Sequence, residues 1–283
     1  MAYATTVYRL ASEWESEQPL AEQFDDFLQD PASAETPAII FGLFGEHDSS
    51  SEPLVAALVA ARQRLPKLKG IFLGDIISEE NEISWIQQSD VSPLFQAYPA
   101  LEHFRVRGGS SLTLGRVRHD KLKSLVIETG GLGVDILADV LASTLPALEH
   151  LELWLGDENY GWDGAVADLQ PLLEGELFPA LKHLGLRDSE IADEIAEAIA
   201  TAPILSRLET LDLSLGTLGD KGAAALLTSP AIKALRKLDL HHHYMSAAMM
   251  ARISSLGIQV DFSGQEKPDI YKGEENRYVA VSE

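Results

Sequence analysis

No cysteine occurs among the 283 residues, so disulfide caps and thiolate metal sites are excluded. Long apolar runs are missing too, and none approaches the ~18 residues that a bilayer-spanning helix requires. The opening stretch from Met1 to Leu10 leads straight into Glu13, Trp14 and Glu15, without the basic start and apolar segment of a secretory leader. These absences lead us to expect a cytoplasmic chain. Basic residues are scarce: 22 Lys and Arg face 44 Asp and Glu, a formal net charge of -22. Such a surface repels phosphate backbones and anionic lipid, so neither nucleic acid nor membrane is an expected partner. The acidity suits the solubility of an extended molecule, or attraction to a basic protein or peptide. Local signatures of enzymes are also lacking, with no Gly-x-Ser-x-Gly elbow, phosphate loop or His-Glu-x-x-His. A non-enzyme without a cofactor is the expectation.

What the chain has instead is a phrase repeated seven times: leucine, two residues, an apolar residue, one residue, another apolar residue. Its anchoring leucines are Leu68, Leu101, Leu122, Leu148, Leu181, Leu208 and Leu235, so 21 to 33 residues separate neighbours. That period belongs to a solenoid of strand, turn and helix. Pro66, Pro99, Pro146 and Pro179 each stand two residues before an anchor, where they end one helix and start an extended segment. Helical spacing follows in 54–65, 134–145, 166–177, 194–202, 222–228 and 247–256. Residues 38–44 read as the first strand and 258–262 as the last. The predicted fold class is α/β: a horseshoe solenoid with parallel strands on the concave face and helices on the convex face.

Three regions are expected: an N-terminal cap over 1–37, with a helix at 20–28; the solenoid over 38–263; and a tail over 264–283, folded back on the final strand. The 101–122 step is too short for a helix. The longer steps carry insertions at 78–90 and 156–164, which should emerge as edge loops. Gly130-Gly-Leu-Gly133 is the turn after a strand, not a phosphate loop.

The strand phrase, together with Thr217-Leu-Gly-Asp-Lys-Gly-Ala-Ala-Ala-Leu226, resembles the ribonuclease-inhibitor class of leucine-rich repeats over roughly residues 38–263. Ile83 to Pro93, Arg105 to Gly109 and Arg277 to Glu283 are similar to a poorly characterised family of bacterial cytoplasmic leucine-rich-repeat proteins. The resemblance implies the solenoid fold and a gene placed near a radical-SAM-type enzyme and hydrolase-like proteins; such proteins have no assigned activity, and one solenoid serves unrelated partners. Where the pattern calls for asparagine after the strand, this chain has Ser189, Gly216 and His243, which predicts looser turns.

In-register strands alternate side chains between core and groove, giving three outward rows. The first is His103, Ser124, His150, His183, Thr210 and Lys237. The second is Arg105, Val126, Glu152, Gly185, Asp212 and Asp239; the third is Arg107, Glu128, Trp154, Arg187, Ser214 and His241. Trp154 and Arg187 should stand exposed side by side, near Tyr160 and Trp162 on the second insertion. Exposed aromatics beside arginine are the usual anchors of an interface. With His150, His183, Arg105, Arg107 and Asp212 they form the predicted partner-binding set, and truncating Trp154 and Arg187 together should leave the fold intact. The expected partner is a protein or peptide; a further alternative is a basic substrate peptide presented to a neighbouring enzyme. The alternative is a metal-dependent or small-molecule-processing enzyme using His150, Glu152 and His183. Of His241, His242 and His243, two at most could share an ion, because adjacent strand residues face opposite ways. No metal is expected.

Overall fold

The computed structural model describes residues 7–12, 18–46 and 48–283. Ten strands pair in chain order into one sheet, and every pairing is parallel. They are β1 (Val7–Leu10), β2 (Ala38–Phe41), β3 (Gly70–Leu73), β4 (His103–Arg107), β5 (Ser124–Glu128), β6 (His150–Gly156), β7 (His183–Ser189), β8 (Thr210–Asp212), β9 (Lys237–Asp239) and β10 (Gln259–Asp261). Parallel neighbours need a crossover, and helices supply most of them. These are α1 (Leu20–Gln29), α2 (Glu52–Ala60), α3 (Ser92–Ala97), α4 (Val134–Leu141), α5 (Val166–Leu173), α6 (Ala192–Thr201), α7 (Asp220–Thr228) and α8 (Ala247–Ser254). No helix among the described residues is long and apolar enough to cross a membrane.

Each repeat has one apolar strand face and one apolar helix stripe, and stacking the repeats merges them into one core. Leu125, Leu151, Leu184, Leu211 and Leu238 are successive cross-strand partners, each without exposed surface. Between β4 and β5 there is no helix, as the short step requires. Isolated parallel bridges, Asp90 with Thr113 and Arg118 with Thr144, carry the stack across that gap.

Three expectations need correction. β2 is not the first strand, because Val7–Leu10 pairs with it in register. Those four residues carry none of the leucine phrase, so the repeat pattern is silent about them. The turn at His243 is not loose. Its buried ring accepts the Met245 N–H at Nδ1 (3.0 Å), which leaves Nε2–H to donate to the Phe262 carbonyl (2.9 Å). An imidazole thereby presents the donor and acceptor pair of an asparagine amide. His119 does the same between the Lys121 N–H and the Tyr98 carbonyl.

The tail is the third. After an exposed hairpin of β11 (Asp269–Tyr271) and β12 (Glu274–Asn276), residues 277–283 run far beyond the final strand. They lie back along the edge where the strands end. Arg277 reaches Asp193 and the Thr217 carbonyl, and the Ala280 N–H donates to Leu215. Val281 N–H donates to Asp188, and Ser84 donates to the Ser282 carbonyl. Gly130 and Gly219 stand under this strap. A Cβ at Gly130 would strike Ser84 and Ser282, and one at Gly219 would strike Arg277.

Candidate functional site

The three groove rows exist in the expected register: His150 pairs with His183, Glu152 with Gly185, and Trp154 with Arg187. Asp212 pairs with Asp239 one step further along. Parallel neighbours stand about 4.8 Å apart, close enough for side chains to meet laterally. The charges use that proximity. Glu128, 1% exposed, receives both Arg105 and Arg107, the latter at 3.0 Å. Arg187 lies between Glu152 (2.6 Å) and Asp212 (3.4 Å), and its Nε donates to Ser214 (2.9 Å). Lys237 and His241 both hold Asp239, each at 2.7 Å.

Protonation follows from these contacts. Burial works against Glu152, but His150, Arg187 and Trp154 hold its carboxyl well below the usual range. Burial raises Asp212 despite Arg187. It also lowers His183 to about 4, helped by the neighbouring His150, so that ring is neutral near pH 7.

The predicted aromatic set divides. Trp154 faces the groove, outside the leucine core, yet only 8% of it is exposed. The guanidinium carbons of Arg187 and Arg107 lie 5.0 and 5.7 Å from its ring, and its Nε1–H donates to Glu152 (2.8 Å). It is the floor of the groove, and not the exposed anchor expected from sequence. Trp162 is a plain correction: 3% exposed, it packs in the apolar core. Gly164 makes room for it, since a Cβ there would stand 2.9 Å from the ring. Tyr160 is half-buried, and its hydroxyl donates to the Glu283 carboxylate of the tail (2.6 Å). The two insertions meet there. Ser84, Ser110, Thr129, Gly130 and Tyr160 are among the residues lining a cavity of about 260 Å³ between them.

A family model described as Leucine Rich repeat matches residues 179–200 and 207–227. The crystal structure of a protein from Bacteroides fragilis is 34% identical with a TM-score of 0.86, over 92% of this chain and 74% of that one. This chain is a leucine-rich-repeat protein, of the family to which that Bacteroides protein belongs. A crystal structure of an internalin from Listeria monocytogenes matches at 13% identity and a TM-score of 0.29, over 87% and 95% of the two chains. That likeness is too slight to bear on function. No curated protein matches the sequence.

Within the leucine-rich-repeat horseshoe, only part of the predicted set is accessible. Arg105 keeps about half of its side chain exposed (49%), whereas Arg107 and Arg187 keep 17% and 16%. His150 remains one-third open. Sequence reasoning passed over Trp85, which stands 64% exposed on the first insertion with Ile77 (57%) nearby in the chain. Its signal was available: a tryptophan inside a polar insertion that lies outside the leucine phrase. Glu128 as the clamp of two arginines was also legible, because the register places it directly beside Arg107.

Proposed function

We propose that this leucine-rich-repeat protein is a non-catalytic scaffold that holds a protein or peptide against its concave face and the edge insertions. The observation that carries this reading is the exposed Trp85, projecting from an insertion beside a groove whose charged side chains are already held in place. A large exposed aromatic costs solubility, and interfaces use such residues as anchors. Arg105, with its guanidinium 4.4 Å above the Phe72 ring, supplies a fixed cation at the same end of the groove. Trp154, Arg187, Arg107 and Asp212 form a rigid floor, with the His150 and His183 rings stacked on it and Tyr160 at the edge where the strands end. Groups fixed before binding lose little entropy on association.

The laterally paired floor also changes the test. Truncating Trp154 and Arg187 together would strand the buried carboxylates of Glu152 and Asp212, so that variant is expected to lose stability, contrary to the sequence expectation. Trp85→Ala and Arg105→Gln, alone and combined as the double variant, leave the buried Glu128 its contact to Arg107. Pull-downs from the native cell with wild type, Trp85→Ala and the double variant should show one partner lost in the double variant, with unchanged thermal unfolding. Full retention of every wild-type partner by the double variant would refute the proposed surface.

The rival reading, a small-molecule enzyme, finds less support. A cavity of about 640 Å³ lies between α2 and residues 88–93 and is lined by none of the candidate residues. His150 is one-third open at the groove face, and neither it nor Glu152 nor His183 lines that cavity.

A further inference from the structure

We propose that His150, Glu152 and His183 form a binding site for one divalent transition-metal ion of the zinc or nickel type, independent of whether the groove also holds a protein. Such ions favour neutral imidazole and carboxylate ligands. One ligand atom from each of the three residues can be chosen so that all lie within 4.8 Å of one another. His150 Nε2 and Glu152 Oε2 are 3.4 Å apart. Four ligands at ~2.0–2.1 Å around a tetrahedral ion stand roughly 3.3–3.4 Å from each other, so this pair already spans one edge of such a site.

His183 supplies the third corner. Its Nε2 is buried and has no hydrogen-bond partner, an orphaned polar atom of the kind that calls for an explanation. Its ring lies on that of His150 with centroids 3.9 Å apart and planes 13° from parallel. Converging on an ion requires the two rings to turn out of this stack. Both are free of the backbone ties that fix His119 and His243, so the turn breaks no hydrogen bond to the main chain.

The surroundings fit a ligand carboxylate. Glu152 Oε1 accepts from Trp154 Nε1 and Arg187, which orients the group and leaves Oε2 toward the histidines. The cross-strand partner of Glu152 is Gly185, where a Cβ would stand 3.0 Å from Glu152 Cγ. The missing side chain leaves Glu152 room to lean toward His183. Arg187 brings a positive charge close by, but Asp212 on its other side offsets it. A second cluster, Asp239, His241 and Asp261, serves as an internal control, because it offers a single imidazole and Lys237 holds Asp239 Oδ2.

The test is calorimetric titration of the metal-stripped full chain with zinc and with nickel near pH 7.5. One ion per chain with a dissociation constant of about 10 μM or tighter is expected, weakened at least roughly tenfold in His183→Ala and in His150→Ala and unchanged in His241→Ala. X-ray absorption of the loaded protein should then show imidazole scattering from two rings. Should His183→Ala fail to fold by circular dichroism, His183→Asn retains a polar group of similar reach and takes its place. No binding by the wild type up to about 100 μM overturns the proposal. Unchanged binding after both histidines are replaced, or loss only in His241→Ala, overturns it equally.

Discussion

Asp188 sits at the seam between the sheet and the tail, and replacing it with asparagine should stabilise the protein in a pH-dependent way. The residue is fully buried in β7, and its Oδ1 accepts the Val281 N–H at 3.0 Å while Oδ2 has no partner. Burial pushes its carboxyl from an ordinary 3.8 up to about 8; Asp157 adds to the rise, and the Val281 and Ala280 amides and Arg187 oppose it. Between those two values the folded chain keeps a proton that the unfolded chain has released. The unfolded state then binds fewer protons, so stability falls as pH rises across the window, by about 1.4 kcal/mol per pH unit. Below pH 4 and above pH 8 this contribution is flat. The whole span amounts to roughly 6 kcal/mol as a ceiling. Asparagine keeps the Oδ1 acceptor, does not titrate, and tolerates the left-handed backbone at this position (φ 53°). Urea unfolding of wild type and Asp188→Asn at pH 5, 6, 7 and 8 should show the difference widening in the variant's favour by roughly 3–4 kcal/mol from pH 5 to pH 8. Other titrating groups are common to both proteins and cancel in the difference. Parallel pH profiles, or a variant less stable at pH 8, would refute the reasoning.

Leu184→Ala should cost roughly 2–5 kcal/mol in chemical denaturation, because the neighbouring strands cannot collapse into the space of a side chain with no exposed surface. Trp162→Ala should cost about 3–5 kcal/mol in the same assay, against near-neutrality if the insertion were a free binding loop. Double-stranded DNA should show no salt-sensitive, submicromolar binding in fluorescence anisotropy, since a formal charge of -22 leaves counterion release nothing to drive.

The strand rows were legible residue by residue. A strand's side chains alternate with period two, and a leucine phrase with fixed internal spacing leaves no freedom of register. The resulting partners, from His103 beside Ser124 to Asp212 beside Asp239, follow from that spacing alone. How deeply each groove residue sits was not legible, because exposure depends on what a long side chain does after leaving the strand. Arg187 bends over the vacant position at Gly185 to reach Glu152, and in doing so it roofs Trp154. Trp162 shows the same limit, since nothing local distinguishes a tryptophan that seals a core from one that greets a partner. The strap of 277–283 was beyond periodicity altogether. Its contacts to Ser84 and Asp188 span 198 and 93 residues, and only the glycines beneath it hint at its course.

Where binding energy can come from follows from the lateral pairing. A charge already satisfied by a neighbour gains little from a partner, and breaking the pair exposes a buried opposite charge. Arg107 and Arg187 are therefore poor sources of affinity, although they set the shape and potential of the floor. Arg105 differs. Glu128 carries one charge and faces two arginines, so this trio retains a net positive charge, and Arg105 is its exposed member. Toward the other end, Asp212, Asp239 and Asp261 succeed one another along a single row, with Lys237 and Arg187 as their counterions. The groove thus keeps a positive end and an acidic end even after every internal pair is formed. An extended partner segment with acidic residues near Trp85 and basic residues over β8 to β10 matches that polarity, and the reversed segment would meet like charge at both ends. Reversing the sign at Arg105 should accordingly slow association more than it speeds dissociation, and more so at low ionic strength than at high.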